Sequence, residues 1–481
     1  MKSSIFKNKL AFYLASRYAT YGLQFVISMV IAVELGPYYM GIWGFILLLL
    51  QYFAQFHFGI ANSFNILYVH HRENPLECNN YIGNSLLLIG YLSVIVVLFY
   101  LYYHLIGIRQ FCKFHVDNYM VWVCLIAILQ YFVNFFINLF RVKNQLNRVT
   151  FCQSVIVILT FFCILFFRSA ELIKWLVTSY VVGNVLCVII ALTSGSIPKP
   201  SEMHIRLSYQ YEIIKKGLLL FFYNSCFYFI IISVRTVIGV YYEVDEFGMF
   251  TFSFSLAHAI LLVLEALSFV IFPKVIGKLS SYDSNEVKET LSLLRLSYIT
   301  SAHLLIYLVL PLFPIIVWII PKYAGALTSM NLIALTVLLN TNSFGYTEFL
   351  MARNNEKKLA ILSASALALN IILSLFLTLV LHVSFSYVIL ATMVTYFSFT
   401  LSAVLMGERI LTKQSYMSTI KLVLPARLFV PFATALCISL LHKDYLMFLP
   451  IILFGILNIK SIGDIVTIAK KLIYKPEIVN L

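Results

Sequence analysis

Few charged side chains interrupt the apolar runs of this 481-residue sequence, so those that do are the first candidates for chemistry. Arg17 falls a turn or two inside the first run, and Arg235 sits toward the far end of a run near the middle of the chain. A guanidinium at such a depth either carries its charge back to the headgroups along its apolar stem or lines a wet cavity, where its planar fork suits a phosphate. His258 and Glu265 share one helical face, two turns apart. A histidine there can bond to a neighbour, touch a substrate or relay a proton. A carboxylate there either pairs with a cation or changes its proton occupancy with its surroundings, which makes it a coupling candidate. Gln24, Gln51, Gln55 and His57 add the uncharged donors and acceptors that replace water around hydroxyl groups. Gln130, Asn134, Asn138 and Arg141 recur at steps of four, four and three, a stripe that helix-to-helix hydrogen bonding accounts for. Glu348 is expected to pair with Arg353 near a membrane surface.

The elements that hold these residues follow from composition. With 61% hydrophobic and 11% charged residues, the chain lacks the polar surface of a water-soluble protein. Apolar runs of about twenty residues, enough to cross about 30 Å of hydrocarbon as a helix, recur from end to end. The expected fold is therefore an all-α polytopic membrane protein of about fourteen spans, beginning with runs at 10–33 and 41–69 and ending with 422–441 and 445–459; twelve is the lower count. The N-terminus starts like a signal peptide, but Arg17 breaks its apolar part and no small-residue cleavage site follows, so it reads as a retained first helix. Placing the N-terminus in the cytoplasm assigns 27 of the 34 lysines and arginines to inner connections, which accounts for the net charge of +14 without a nucleic-acid footprint. Both termini are then cytoplasmic. Eight scattered cysteines imply no pairing, and no motif offers a foothold to a nucleotide, a metal or another cofactor.

The sequence also repeats itself. "MGIWGF" at Met40–Phe45 overlays "FGMFTF" at Phe247–Phe252 after a shift of 207 residues, so that Gly41 meets Gly248 and Phe45 meets Phe252. Each glycine is expected to permit a close approach where a side chain would collide. The same shift lays the first span on the seventh, giving expected lobes at 1–200 and 201–412, six helices each, with two further helices and a tail at 413–481. Six is an even number, so the halves face the same way, a transporter plan whose substrate site lies where repeats meet. Short connections throughout argue against an enzyme with an outer catalytic domain.

The stretch "LGPYYMGIWGF" from Leu35 resembles the first-loop signature of the polysaccharide biosynthesis exporters, the oligosaccharide-lipid flippases of the multidrug/oligosaccharidyl-lipid/polysaccharide (MOP) superfamily. "SVRTVIGVYYEVDEFGMFTFSFSLA" from Ser233, "FPKVIGKLS" from Phe272 and "MARNNEKKLAILSASALALNIILSLFL" from Met351 fit the same pattern. Val234 precedes Arg235 where that family usually has an aspartate. The resemblance implies a MATE-like fold in a bacterial inner membrane and alternating-access transport of an undecaprenyl-diphosphate-linked oligosaccharide of O-antigen or capsule type. It implies membrane lipids, a glycan polymerase and chain-length machinery as partners. It also gives Arg17 and Arg235 a substrate phosphate to hold, and Trp43, Tyr38 and Tyr39 sugar faces on which to stack. Two other readings stay open: a small-molecule or multidrug exporter on the same fold, and a membrane glycan polymerase or ligase.

Overall fold

The computed structural model describes residues 2–106, 112–257, 283–411 and 422–474, together with 259 and 279. His258 and Glu265 lie outside the described residues, as does most of "FPKVIGKLS". All regular structure among the described residues is helical, as hydrocarbon requires of a chain that must satisfy its own backbone hydrogen bonds. Eleven of these helices are long and apolar enough to cross a membrane.

Helix α1, Lys2–Gln55, runs for 54 residues, about 80 Å at the helical rise and far more than one bilayer. Gly36 resolves the excess. Its φ of 64° lies in the left-handed region, so the helix turns at Gly36 and restarts at Pro37, whose missing N–H costs nothing at a helix start. The expected second run, 41–69, is likewise interrupted. Phe58 (φ 47°) and Gly59 (φ 71°) break it, and α2 restarts at Ile60–His70. Helices α3 (Pro75–Ile106), α4 (Met120–Val142), α5 (Leu146–Phe166), α6 (Ser169–Thr193) and α7 (Leu207–Tyr241) follow, then a helical segment α8 at 244–257.

The chain divides into two compact units. The first holds Met1–Ser225 with Glu243–Gly248, and the second holds Cys226–Tyr242 with Met249–Leu481, so α7 contributes to both. In the first unit, side chains tie alternate connections together. At one end Glu34 pairs with Arg168 at 3.2 Å, and the Tyr38 hydroxyl meets His115 Nε2 at 3.2 Å. At the other, Lys143 donates to the Ser196 carbonyl at 2.6 Å, and Asn80 and Asn84 hold the segment 203–206. Asn80 accepts the His204 N–H at 2.7 Å, while Asn84 donates to the His204 carbonyl at 2.9 Å and accepts the Arg206 N–H at 3.1 Å. Two asparagines one helical turn apart thus take the place of a neighbouring strand for an otherwise unpaired backbone. The expected α4 stripe serves packing at Asn138, whose Oδ1 accepts from Asn65 Nδ2 on α2 at 2.7 Å.

The second unit contains α9 (Ser284–Val309), α10 (Leu312–Ile319), α11 (Leu327–Thr341), α12 (Tyr346–Ala352), α13 (Glu356–Leu379), α14 (Ile389–Leu411), α15 (Ala426–Leu440) and α16 (Leu449–Tyr474). Its connections alternate in the same way. His442 meets the hydroxyls of Thr328 and Tyr387, and Asn331 donates to Asp444 at 2.9 Å, which gathers three connections at one end. Arg295 reaches the carbonyls of Asn342, Phe344 and Leu422 at the other.

Candidate functional site

In the first unit, Arg17 stands on the limb of α1 before Gly36. Its guanidinium lies 4.5 Å from the Tyr21 ring centre and donates to the Tyr21 hydroxyl, so this half-buried charge runs along its own helix. Thr20 anchors the limb to α5 through Ser154 Oγ at 2.9 Å. Arg17, Tyr21, Gln24 and Ser28, at steps of four, three and four, form one polar face, and Gln24 is exposed on it.

Gln55 and His57 form a second group at the break before α2. Gln55 Oε1 accepts from Ser225 Oγ at 3.2 Å, and the His57 ring lies 5.4 Å from Phe221 with its Nδ1 accepting the Gly59 N–H. The half-buried Gln51 is one turn before Gln55. Close helix contact explains the glycines here: a Cβ on Gly217 would stand 1.9 Å from Ser63 Oγ. Gln55 and His57 are thus brought together against α7, while Arg17 and Gln24 form their own group on the other limb.

The repeated turns meet one another. A Cβ on Gly41 would lie 2.2 Å from the Val244 carbonyl oxygen, and one on Gly248 would lie 1.9 Å from the Pro37 carbonyl oxygen. The collision expected within each turn is therefore one between the two copies, reciprocal and on backbone. Phe45, Phe114 and Phe247 pack beside it, with Phe45 and Phe114 stacked at 4.2 Å. Residues 243–248 are capped by Glu246, which accepts the Glu243 N–H at 3.0 Å. On the neighbouring loop, partial burial pushes the Lys113 ammonium below its ordinary range, against the pull of Glu243 and Glu246.

Trp43 does not offer a free face. It is 4% exposed and packs edge-on to Tyr180 at 5.7 Å, so it belongs to the core of this unit. Tyr38 remains exposed.

In the second unit, Arg235 is 2% exposed and its guanidinium lies 4.9 Å from the Phe254 ring centre. This charge is enclosed by protein, turned neither to headgroups nor to open water. One turn earlier, Asn370 of α13 donates to the Ile230 carbonyl at 2.7 Å and to Ser233 Oγ at 2.8 Å, fixing α7 beside it. Glu348 also departs from expectation. It is buried and accepts the Gly345 N–H and the Thr347 hydroxyl, capping α12.

The sequence reading missed three polar groups of this unit, two of them buried. His303 stands between the Tyr307 hydroxyl and Asn342 Oδ1, each at 3.2 Å. Glu408, 6% exposed, accepts the Tyr346 hydroxyl, and Arg295 stacks 4.9 Å over the Tyr346 ring. Arg295 and Glu408 occur near the ends of predicted spans, where a charge reads as a topology signal; only their pairing through Tyr346 marks them out. No group of three metal-ligating side chains occurs among the described residues.

A family model described as polysaccharide biosynthesis protein matches residues 6–280. The chain belongs to that family. Three of the four signature stretches lie within the match, and the one from Met351 lies beyond it. No curated protein matches this family member by sequence. Among solved structures it is similar to the lipid II flippase MurJ in an inward closed conformation, with a TM-score of 0.68 at 13% identity over 97% of this chain and 100% of that one. It is also similar to an inward-facing multidrug resistance MATE family transporter of the MOP superfamily, with a TM-score of 0.65 at 10% identity, covering 85% and 99% of the two chains. A MOP superfamily transporter from Pyrococcus furiosus gives 0.55 at 13% identity, covering 86% and 95%. At these identities the likeness is one of fold. This polysaccharide biosynthesis family member is thus a multi-pass membrane protein with the fold of MOP superfamily transporters.

Proposed function

We propose that the protein is a flippase that turns an undecaprenyl-diphosphate-linked oligosaccharide, of O-antigen or capsule type, across a bacterial inner membrane by alternating access. One observation carries this reading: a polysaccharide biosynthesis family match on a fold shared with a lipid II flippase. The reading includes fourteen spans, lobes at 1–200 and 201–412 with two appended helices, and cytoplasmic termini. The physical task is to shelter a charged, hydroxyl-rich headgroup while a polyprenyl tail stays in lipid. Arg235 supplies a positive charge shielded from bulk water, and Arg17 with Gln24 supplies a polar face; a diphosphate is the anion they suit. Gln51, Gln55 and His57 offer hydrogen bonds to sugar hydroxyls. His258 touches the substrate, and Glu265 is the coupling element. A glycan polymerase and chain-length machinery take up the product.

Arg235→Ala is expected to abolish surface glycan at normal membrane abundance, with full-length lipid-linked oligosaccharide accumulating on the cytoplasmic face. Unchanged surface glycan would remove Arg235 from the path. The comparable likeness to a multidrug MATE transporter favours a second reading, export of small molecules. Efflux of cationic dyes that disappears on gene deletion, with glycan intact, would establish it.

A further inference from the structure

A cavity of about 480 Å³ lies in the second unit along one face of α9. Its wall on α9 runs from Lys288 through Ser292 and Arg295 to Ile299, about 16 Å at the helical rise. Charge and apolarity are segregated along that line. Lys288 is exposed, whereas Leu291 and Ile299 are buried, and the start of α15 repeats the pattern with exposed Arg427 beside buried Leu428.

The interior charges of the cavity are balanced by the protein. Arg295 Nη1 donates to the carbonyls of Asn342 at 2.8 Å and Phe344 at 3.2 Å, and Nη2 to that of Leu422 at 3.4 Å. Glu408 takes the Tyr346 hydroxyl, and Tyr346 carries the Arg295 guanidinium on its ring. The two outer cations, Lys288 and Arg427, remain as a surplus of positive charge, with Arg427 Nη1 steadied by Ser461 Oγ at 2.7 Å. A soluble anion would leave the apolar wall without a partner. A purely apolar guest would leave the cations without one. An amphiphile with an anionic head satisfies both.

We infer that this cavity is a binding site for the phosphate-bearing head of a membrane lipid, with Lys288 and Arg427 on the phosphate and one chain lying along Leu296, Ile299 and Leu428. Basic side chains beside a bilayer attract anionic lipid in this manner. The lipid is either a bulk anionic phospholipid or a polyprenyl phosphate, which share the recognised chemistry. Among the described residues proposed for transport, Arg17, Gln24, Gln51, Gln55, His57 and Arg235, none lines the cavity, so the site is tested apart from them.

The test is native mass spectrometry of the full-length protein in detergent, titrated with dioleoyl phosphatidylglycerol, dioleoyl phosphatidylcholine or undecaprenyl phosphate. The unaltered protein is expected to retain phosphatidylglycerol in preference to phosphatidylcholine. Lys288→Ala combined with Arg427→Ala is expected to weaken that retention about ten-fold or more. Ile299→Trp, which fills the apolar end and keeps both charges, is expected to weaken it as well. Displacement of phosphatidylglycerol by equimolar undecaprenyl phosphate assigns the site to a polyprenyl carrier, and its persistence assigns it to bulk phospholipid. Equal retention of the two glycerolipids, or retention unchanged in both variants, overturns the proposal. The two variants act by different routes, so one that fails to fold leaves the other decisive.

Discussion

Arg235 illustrates what a buried charge in a membrane bundle requires. Its position on α7 was legible because a charge inside an apolar run is expensive and conspicuous. Its enclosure was not, because a run of apolar letters does not say which face meets lipid and which meets α13 or Phe254. Arg295 and Glu408 show the converse. Both lie near the ends of spans, where a charge is ordinary, and only the fold brings Glu408 to the Tyr346 hydroxyl beneath Arg295. The enclosure of Arg235 yields a prediction at this scale. A lysine keeps the charge but loses the planar fork and its stacking on Phe254, so Arg235→Lys is expected to retain no more than about a tenth of surface glycan output, as bidentate sites tolerate that exchange poorly. Quantified surface glycan at matched protein abundance measures it, and full output from the lysine variant would show that charge alone suffices.

The glycines of the repeated turns act through elements. Two turns that read alike in sequence touch one another: Gly41 faces the Val244 carbonyl and Gly248 faces the Pro37 carbonyl. The sequence could show that the glycines correspond but not that the two turns touch, since the contact joins residues about two hundred positions apart. A side chain at Gly248 has no flexible neighbour to displace, because the obstacle is backbone. Gly248→Ala is therefore expected to cost about 1–3 kcal/mol, the usual penalty for overpacking. Gly22, with nothing within 4 Å of a Cβ, is the control. Thermal unfolding in detergent should show a lowered transition for Gly248→Ala and an unchanged one for Gly22→Ala; equal transitions would mean that the turns part freely. The strap at 203–206 is another device of elements. Asn84→Ala removes the partners of the His204 carbonyl and the Arg206 N–H together. Brief proteolysis of membranes opened on both sides is expected to cut near Pro198–Arg206 about ten-fold faster in that variant, and an unchanged rate would show that the linker is held by something else.

For the molecule as a whole, the count of lysines and arginines and the network of side chains between connections are independent guides to topology. The first depends on insertion, the second on packing. Within the first unit, Lys143, Asn80 and Asn84 join the connections that the charge count places in the cytoplasm, and Glu34–Arg168 joins two that it places outside. Within the second, the connections gathered by His442 are those assigned outside, while Arg295 ties the break at 342–345, within one expected span, to Leu422 at the end of a connection assigned inside. Within either unit, an unrecognised crossing between these described connections would have put mismatched connections into contact. The broken run at 56–59 does not upset this order, because the chain continues into α2 before the next connection. The pairing shows which connections share an end, but not which end faces the cytoplasm; only the basic residues bear on that. Cysteines introduced singly at Pro198 and His442, in a chain whose eight native cysteines are replaced, would settle it. An impermeant maleimide is expected to label position 442 on intact spheroplasts and position 198 only after permeabilisation. Labelling of 198 from outside would invert the protein and with it the direction of transport, and labelling of both from one side would break the alternation itself.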